Sequence, residues 1–150
     1  MPTYCKQVDL PYSPRQVFDL VADVERYPLF LPHVASARIA RREGNRLWVD
    51  QVVRVKLLRL SFSTQALLEP PSRISVVCET SPLGRFSEQW SFAEGPRGGT
   101  RLACRTDFEL RTGFLRRFSG AMLADLLQAT VTAFERRARQ LYGTAASSPP

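Results

Sequence analysis

A chain of 150 residues, 44% of them apolar, holds one domain with a proper core and is too short for two ordinary ones. No run approaches the ~18 consecutive apolar residues of a membrane span, and the first residues carry no hydrophobic signal segment, so a soluble, cytoplasmic protein is expected. The net charge of +7, almost wholly arginine, fits an anionic partner (a membrane surface, nucleic acid or the ribosome) as well as it fits a merely solvated basic surface.

In chain order, residues 4–10 alternate loosely as a first strand, with Tyr4, Lys6 and Val8 opposite Cys5, Gln7 and Asp9. A helix start follows. Ser13 is the N-cap, Pro14 takes the first helical position, Gln16 closes a capping box, and Tyr12 and Val17 are placed as a hydrophobic staple. This helix buries Val17, Phe18, Leu20 and Val21 and stops near Asp23. A second short turn covers 24–31, interrupted by Pro28 and closed by Pro32. From Val34 to Leu110 the period changes to two, with strands predicted over 35–42, 46–56, 60–69, 73–80, 85–93 and 101–110. Glu43-Gly44-Asn45, Pro70-Pro71-Ser72, Ser81-Pro82-Leu83-Gly84 and Gly95-Pro96-Arg97-Gly98-Gly99 supply the turns, and connections this short make neighbours antiparallel.

The last element is a long helix over 114–142, capped by Thr112 and ended by Gly143. Its apolar row is Leu115, Phe118, Met122, Leu126, Thr130, Phe134, Ala138 and Leu141, widened by Leu123, Leu127 and Val131. Asp125, Gln128, Thr132, Glu135, Arg136 and Arg139 fall opposite. At about 1.5 Å per residue it is roughly 40 Å long and needs a wide apolar surface. A sheet of about seven strands curled around it supplies that surface, which predicts an α+β helix-grip fold. One domain over 1–143 and a disordered tail over 144–150 are expected. Cys5, Cys78 and Cys104, odd in number and widely spaced in a chain with one histidine, read as buried reduced thiols rather than a disulfide framework or a zinc site.

The run Leu10-Pro11-Tyr12-Ser13-Pro14-Arg15-Gln16-Val17-Phe18, continuing through Leu20-Val21-Ala22-Asp23-Val24-Glu25-Arg26-Tyr27-Pro28-Leu29-Phe30-Leu31-Pro32, resembles the START-like coenzyme-Q-binding proteins. That family, within the polyketide cyclase/dehydrase-like superfamily, also includes bacterial ribosome-association toxins. Ser81-Pro82-Leu83-Gly84-Arg85-Phe86, Gln89-Trp90-Ser91-Phe92, Asp107-Phe108-Glu109-Leu110 and Phe134-Glu135-Arg136-Arg137-Ala138 extend the resemblance over residues 3–142. His33 departs from it, because some members carry Trp there. The resemblance implies an apolar cavity between sheet and long helix, no required cofactor, and ubiquinone or a similar polyprenyl lipid as bound ligand, in support of respiration. The toxin branch implies contact with the large ribosomal subunit instead, and polyketide cyclases keep an enzymatic alternative open.

Strand alternation puts Phe86, Glu88, Trp90 and Phe92 on one face, and Leu102, Cys104, Thr106, Phe108 and Leu110 on one face of the next strand. Facing Phe118, Met122, Leu126 and Phe134 of the helix, with Phe30 nearby, they either line a cavity for a quinone ring and its isoprenoid chain or fill a core. Glu88 is costly beside Trp90 unless it pairs with a cation such as Arg116 or, protonated, hydrogen-bonds a quinone carbonyl. A one-residue slip would turn it to solvent. Tyr27, Pro28 and Pro32 make a stiff elbow that serves as a gate or a packing corner. Arg54, Lys56, Leu57, Leu58 and Arg59 interleave basic and apolar side chains; at a loop tip they would meet an anionic membrane at its inner face, with Arg116 and Arg117 adding to that end. A tail too long for the cavity would stay in the bilayer, run along a groove or be covered by a second protomer. His33 lacks a catalytic partner in any recognisable motif, and no P-loop, G-x-G-x-x-G, H-E-x-x-H or G-x-S-x-G occurs, so a non-enzymatic protein is expected.

Overall fold

Period-two alternation in the middle of the chain becomes a seven-stranded antiparallel sheet in the computed structural model, which describes residues 3–55, 57–81, 84–111, 113 and 120–143. The elements are β1 (Thr3–Leu10), α1 (Pro14–Ala22), a 3-10 helix (Val24–Leu29), β2 (Val34–Glu43), β3 (Arg46–Val55), β4 (Leu58–Glu69), β5 (Arg73–Ser81), β6 (Gly84–Glu94), β7 (Thr100–Leu110) and α2 (Gly120–Tyr142). Strand order is β1-β7-β6-β5-β4-β3-β2. The two short helices carry the chain from one edge of the sheet to the other, and five hairpins bring it back.

Local chemistry explains the corners. Ser13 Oγ accepts from the Gln16 amide at 3.2 Å and Gln16 Oε1 from the Ser13 amide at 3.0 Å, so the capping box forms as the sequence requires. Between β6 and β7, Gly99 has a φ of +68°, and a Cβ there would lie 2.2 Å from the Leu10 carbonyl oxygen. Only glycine lets that loop rest on the end of β1. Register shifts in β2, between Val34 and Ser36 and between Ile39 and Arg41, bend this edge strand. Glu25 of the 3-10 helix accepts from the Ile39 amide at 3.0 Å, which occupies an N–H of the sheet edge.

The sheet closes on α2. Leu123, Val131, Ala133, Phe134 and Ala138 are its buried residues. The ring of Phe134 meets those of Trp90, Tyr27 and Phe30 at centroid distances of 5.2, 5.5 and 5.4 Å. At the far end, Tyr12 hydroxyl donates to the Gly143 carbonyl and Tyr142 hydroxyl to the Gln16 carbonyl, which clasps α1 to α2. Gly143, at φ +84°, ends the helix by returning its amide to the Arg139 carbonyl at 2.9 Å.

Three expectations need correction. Leu141 is 50% exposed: a 3.6-residue period drifts off a strict three-four row over six turns, so the expected row is buried at Phe134 and Ala138, with Val131 buried and Leu127 half-buried beside it, and leaves the core at Leu141. Cys5 is exposed, on the outward face of β1, whereas Cys78 and Cys104 are buried. Strand β4 starts at Leu58, two residues early, because Leu58 already pairs with Val55 of β3. Thr112, Leu115, Phe118 and the 144–150 tail lie outside the described residues.

Candidate ligand-binding cavity

The inward faces of β3 to β7 meet α2 along only part of its length. Between the two packed regions lies a cavity of about 230 Å³. One end is bounded by Val21 of α1, Val24 and Tyr27 of the 3-10 helix, Trp90 and Phe134; the other by Val55, Phe108, Leu110 and Leu123. Leu126 and Thr130 of α2 form one wall, and Phe62, Val76 and Phe86 belong to the opposing sheet. Phe62 and Phe86 meet edge to face at 5.6 Å, and Phe86 and Phe108 at 6.1 Å, so the sheet wall is lined by aromatic rings.

One carboxyl interrupts this surface. Glu88 stands on β6 between Val76 of β5 and Thr106 of β7, on the face that carries Trp90. Its Oε1 accepts the Trp90 indole N–H at 2.7 Å, and its Oε2 lies 3.5 Å from the Thr106 hydroxyl. Both partners are neutral, and among the described residues no ion pair includes Glu88. Burial raises its pKa, a rise only partly opposed by the two hydrogen bonds. Glu88 is half-buried and lines the cavity. Its neighbours follow the same logic. Burial holds the Tyr27 phenol and the Cys104 thiol above their ordinary values, and Glu88 adds to the rise whenever it is ionised, so both stay neutral.

Of the residues expected at a ligand site, the structure brings Phe86, Glu88, Trp90, Thr106, Phe108 and Leu126 together around this cavity, with Tyr27 of the elbow. Phe92 stands elsewhere: strand alternation fixes its face but not its depth, and it packs edge to face on Phe18 of α1 at 5.3 Å. Phe30 is also outside, between the Tyr27 and Phe134 rings with the Arg137 guanidinium 5.3 Å from its centroid. Met122 faces an outer groove of about 340 Å³ with His33, Val55, Asp125, Leu126 and Ala129, and Val55 and Leu126 border both spaces. Tyr27 donates to the Val21 carbonyl and also lines the cavity, so the elbow is a packing corner and a wall at once, while Pro28 and Pro32 are exposed.

The reading from sequence passed over a second polar pair. Gln51 of β3 donates to Thr64 of β4 at 3.5 Å, and both line the cavity. Alternation could have found them, because Val49, Gln51, Val53 and Val55 share one face of β3 and Phe62, Thr64, Ala66 and Leu68 one face of β4. At the basic connection, Val55 pairs with Leu58 and Arg54 with Arg59, which leaves Leu57 at the hairpin tip, 102% exposed. Leu58 is half-buried against the cluster around Val55 and Leu123. Lys56, Arg116 and Arg117 lie outside the described residues, so the Glu88–Arg116 pair does as well.

A curved antiparallel sheet gripping a C-terminal helix, with an apolar cavity between them, defines a START-like ligand-binding fold. A family model described as polyketide cyclase / dehydrase and lipid transport matches residues 10–135, and the chain belongs to that family. Among curated relatives, it is 28% identical over 134 residues to the ribosome association toxin RatA of Pseudomonas aeruginosa, covering 89% of this chain and 93% of that one. It is 24% identical over 143 residues to the mitochondrial coenzyme Q-binding protein COQ10 of Dictyostelium discoideum, covering 93% and 70%. Among solved structures, TTHA0849 of Thermus thermophilus superposes with a TM-score of 0.83 at 22% identity over 98% of this chain and 100% of that one. The Zhui aromatase/cyclase of a Streptomyces species gives 0.75 at 20%, over 99% of each, and these two likenesses show the fold alone.

Proposed function

We propose that this protein binds, without chemical turnover, a neutral ring-bearing polyprenyl lipid such as ubiquinone, and does so at the inner face of the cell membrane in support of respiratory quinone function. The observation that carries this reading is the aromatic-lined cavity with the Glu88 carboxyl set into its wall. Its 230 Å³ is about eight water volumes, below the ~300 Å³ at which ordinary ligand pockets begin. A substituted ring fits that space and a tail does not. The tail would leave toward the outer groove, which lies across Val55 and Leu126 from the cavity and needs those side chains to move aside. The coenzyme-Q-binding relative supports the choice of ligand.

The β3–β4 hairpin supports the membrane. Arg54 and Arg59 lie directly opposite each other, an arrangement that is unfavourable until an anion neutralises it, and Leu57 stands fully exposed at the hairpin tip beyond them. A leucine entering the headgroup boundary with two arginines behind it is a common anchoring chemistry at anionic bilayers.

A second reading, binding of the large ribosomal subunit in the cytoplasm, is favoured by the names of the toxin relatives and by the charge of β2–β4. These strands expose Arg38, Arg41, Arg42, Arg46, Arg54 and Arg59 against Glu43, Asp50 and Glu69. The deciding experiment is to purify the protein from a quinone-making bacterial host, extract it with organic solvent and identify the released lipid by mass spectrometry. Stoichiometric quinone is expected. A lipid-free protein that instead co-sediments with large subunits, more weakly as salt rises, would put the ribosome first.

A further inference from the structure

The two oxygens of Glu88 are not equivalent. Oε1 is engaged as an acceptor by the Trp90 indole at 2.7 Å, the geometry of a carbonyl oxygen that holds no proton. Oε2 has only the long 3.5 Å approach of the Thr106 hydroxyl, which also faces the Cys104 sulfur at 3.7 Å. In the neutral acid the proton therefore belongs on Oε2, and the remaining direction open to that O–H is into the cavity that Glu88 lines.

Resting on the reading that this cavity takes a lipid, we infer that Glu88 selects the ligand: its neutral carboxyl donates one hydrogen bond to a carbonyl or ether oxygen on an uncharged ring, while the apolar lining around it disfavours fatty acids and other lipids in their anionic form. A ligand anion in this cavity would lose its hydration beside Glu88 with no cation among the described lining residues to replace it. An uncharged ring with acceptor oxygens loses little and gains the bond. Burial supports the neutral form by raising the carboxyl's pKa. The titratable groups facing Glu88 are the Tyr27 phenol from the 3-10 helix and the Cys104 thiol from β7, both held neutral by burial. From β5 it meets Val76, and α2 contributes Leu126, Thr130 and Phe134 to the cavity, none of which titrates.

The test uses the full chain and three probes with the same decyl tail: a dimethoxy-methyl-benzoquinone, decylbenzene and decanoate. Calorimetric titrations run from pH 5 to pH 9. The quinone should bind wild type about five- to tenfold more tightly than decylbenzene, as one net hydrogen bond provides, and should lose that margin as the pH rises through the Glu88 titration. Above that point quinone binding should take up a proton, read as a dependence of the heat on buffer ionisation. Glu88→Gln, whose amide N–H donates at every pH, should bind quinone with no pH dependence and no proton uptake. Glu88→Met should lose the margin at every pH. Decanoate should bind wild type worst of the three. A pH-independent quinone affinity that Glu88→Met leaves unchanged, with all variants melting cooperatively, would overturn this inference and leave the cavity reading standing. Failure of wild type to bind either quinone or decylbenzene would remove the cavity reading itself.

Discussion

Glu88 also makes the stability of the protein depend on pH, with a sign that follows from its surroundings. Its carboxyl would titrate near 4.5 in water, and burial raises that value in the folded chain. Between the two values the folded protein holds a proton that the unfolded chain has released. Stability therefore falls as the pH rises through this window and is level beyond it. Glu88→Gln keeps an acceptor for the Trp90 indole and cannot ionise. Its melting temperature relative to wild type should rise between pH 4 and pH 8, a difference in which all other titrations cancel. An identical gap at both pH values would mean that the folded protein solvates the Glu88 charge as well as water does. Trp90, by contrast, is 3% exposed and packed on Phe134, so truncating it would damage the fold before it tested any ligand.

At the scale of elements, the β3–β4 hairpin allows stability and binding to be separated. Arg54→Glu places opposite charges across the strand pair where Arg54 and Arg59 now face each other, so it should stabilise the fold by a few tenths of a kcal/mol. The same change should weaken sedimentation with phosphatidylglycerol vesicles. Leu57→Asp should leave the unfolding free energy within about 0.5 kcal/mol, because Leu57 is fully exposed at the tip, and should weaken the same vesicle binding. Full vesicle binding in both variants would move the contact away from this tip. The α2 wall offers a second separation. Leu126 is half-buried and borders both the cavity and the outer groove. Leu126→Ala should join the two spaces and raise affinity for longer-tailed quinones more than for short-tailed ones in parallel titrations. Its cost should fall at or below the low end of the ~2–5 kcal/mol seen for filled cores. These elements differ in how far the sequence exposes them. The α1 cap is legible because every partner lies within four residues of Ser13, and strand faces are legible because alternation is local. What alternation cannot reveal is depth along a strand: Phe92 and Trp90 share a face, yet one packs on α1 and the other bounds the cavity. The partition between Val55 and Leu126 joins residues far apart in the chain, and no local pattern marks it.

At the scale of the whole molecule, the cavity lies between two packed clusters, the larger of which, among the described residues, is the more completely buried. The main core gathers α1, Trp90, Phe92, Phe134 and Ala138, and the Tyr12 and Tyr142 hydroxyls lock the two helices there. Among the described residues, the smaller cluster has Val55 and Leu123 buried, with Tyr4, Val53, Leu58, Phe108, Leu110, Met122 and Leu126 half-buried around them. Side chains around an unfilled space lack contact partners on one side, so the N-terminal half of α2 should open locally at lower free energy than the C-terminal half. A ligand in the cavity supplies those contacts and binds only the folded state. At a hundred times its dissociation constant, a short-tailed quinone should add about 2.7 kcal/mol of stability. For a chain of this size that is a rise in melting temperature of roughly 5–11 °C. Amide exchange should slow most between Leu123 and Thr130, where Leu123, Leu126 and Thr130 line the cavity. It should change least beyond Phe134, where the clasp is already complete. Equal slowing along all of α2 would mean that the ligand stabilises the molecule only globally, and the cavity would then lose its claim to be the place where the ligand sits.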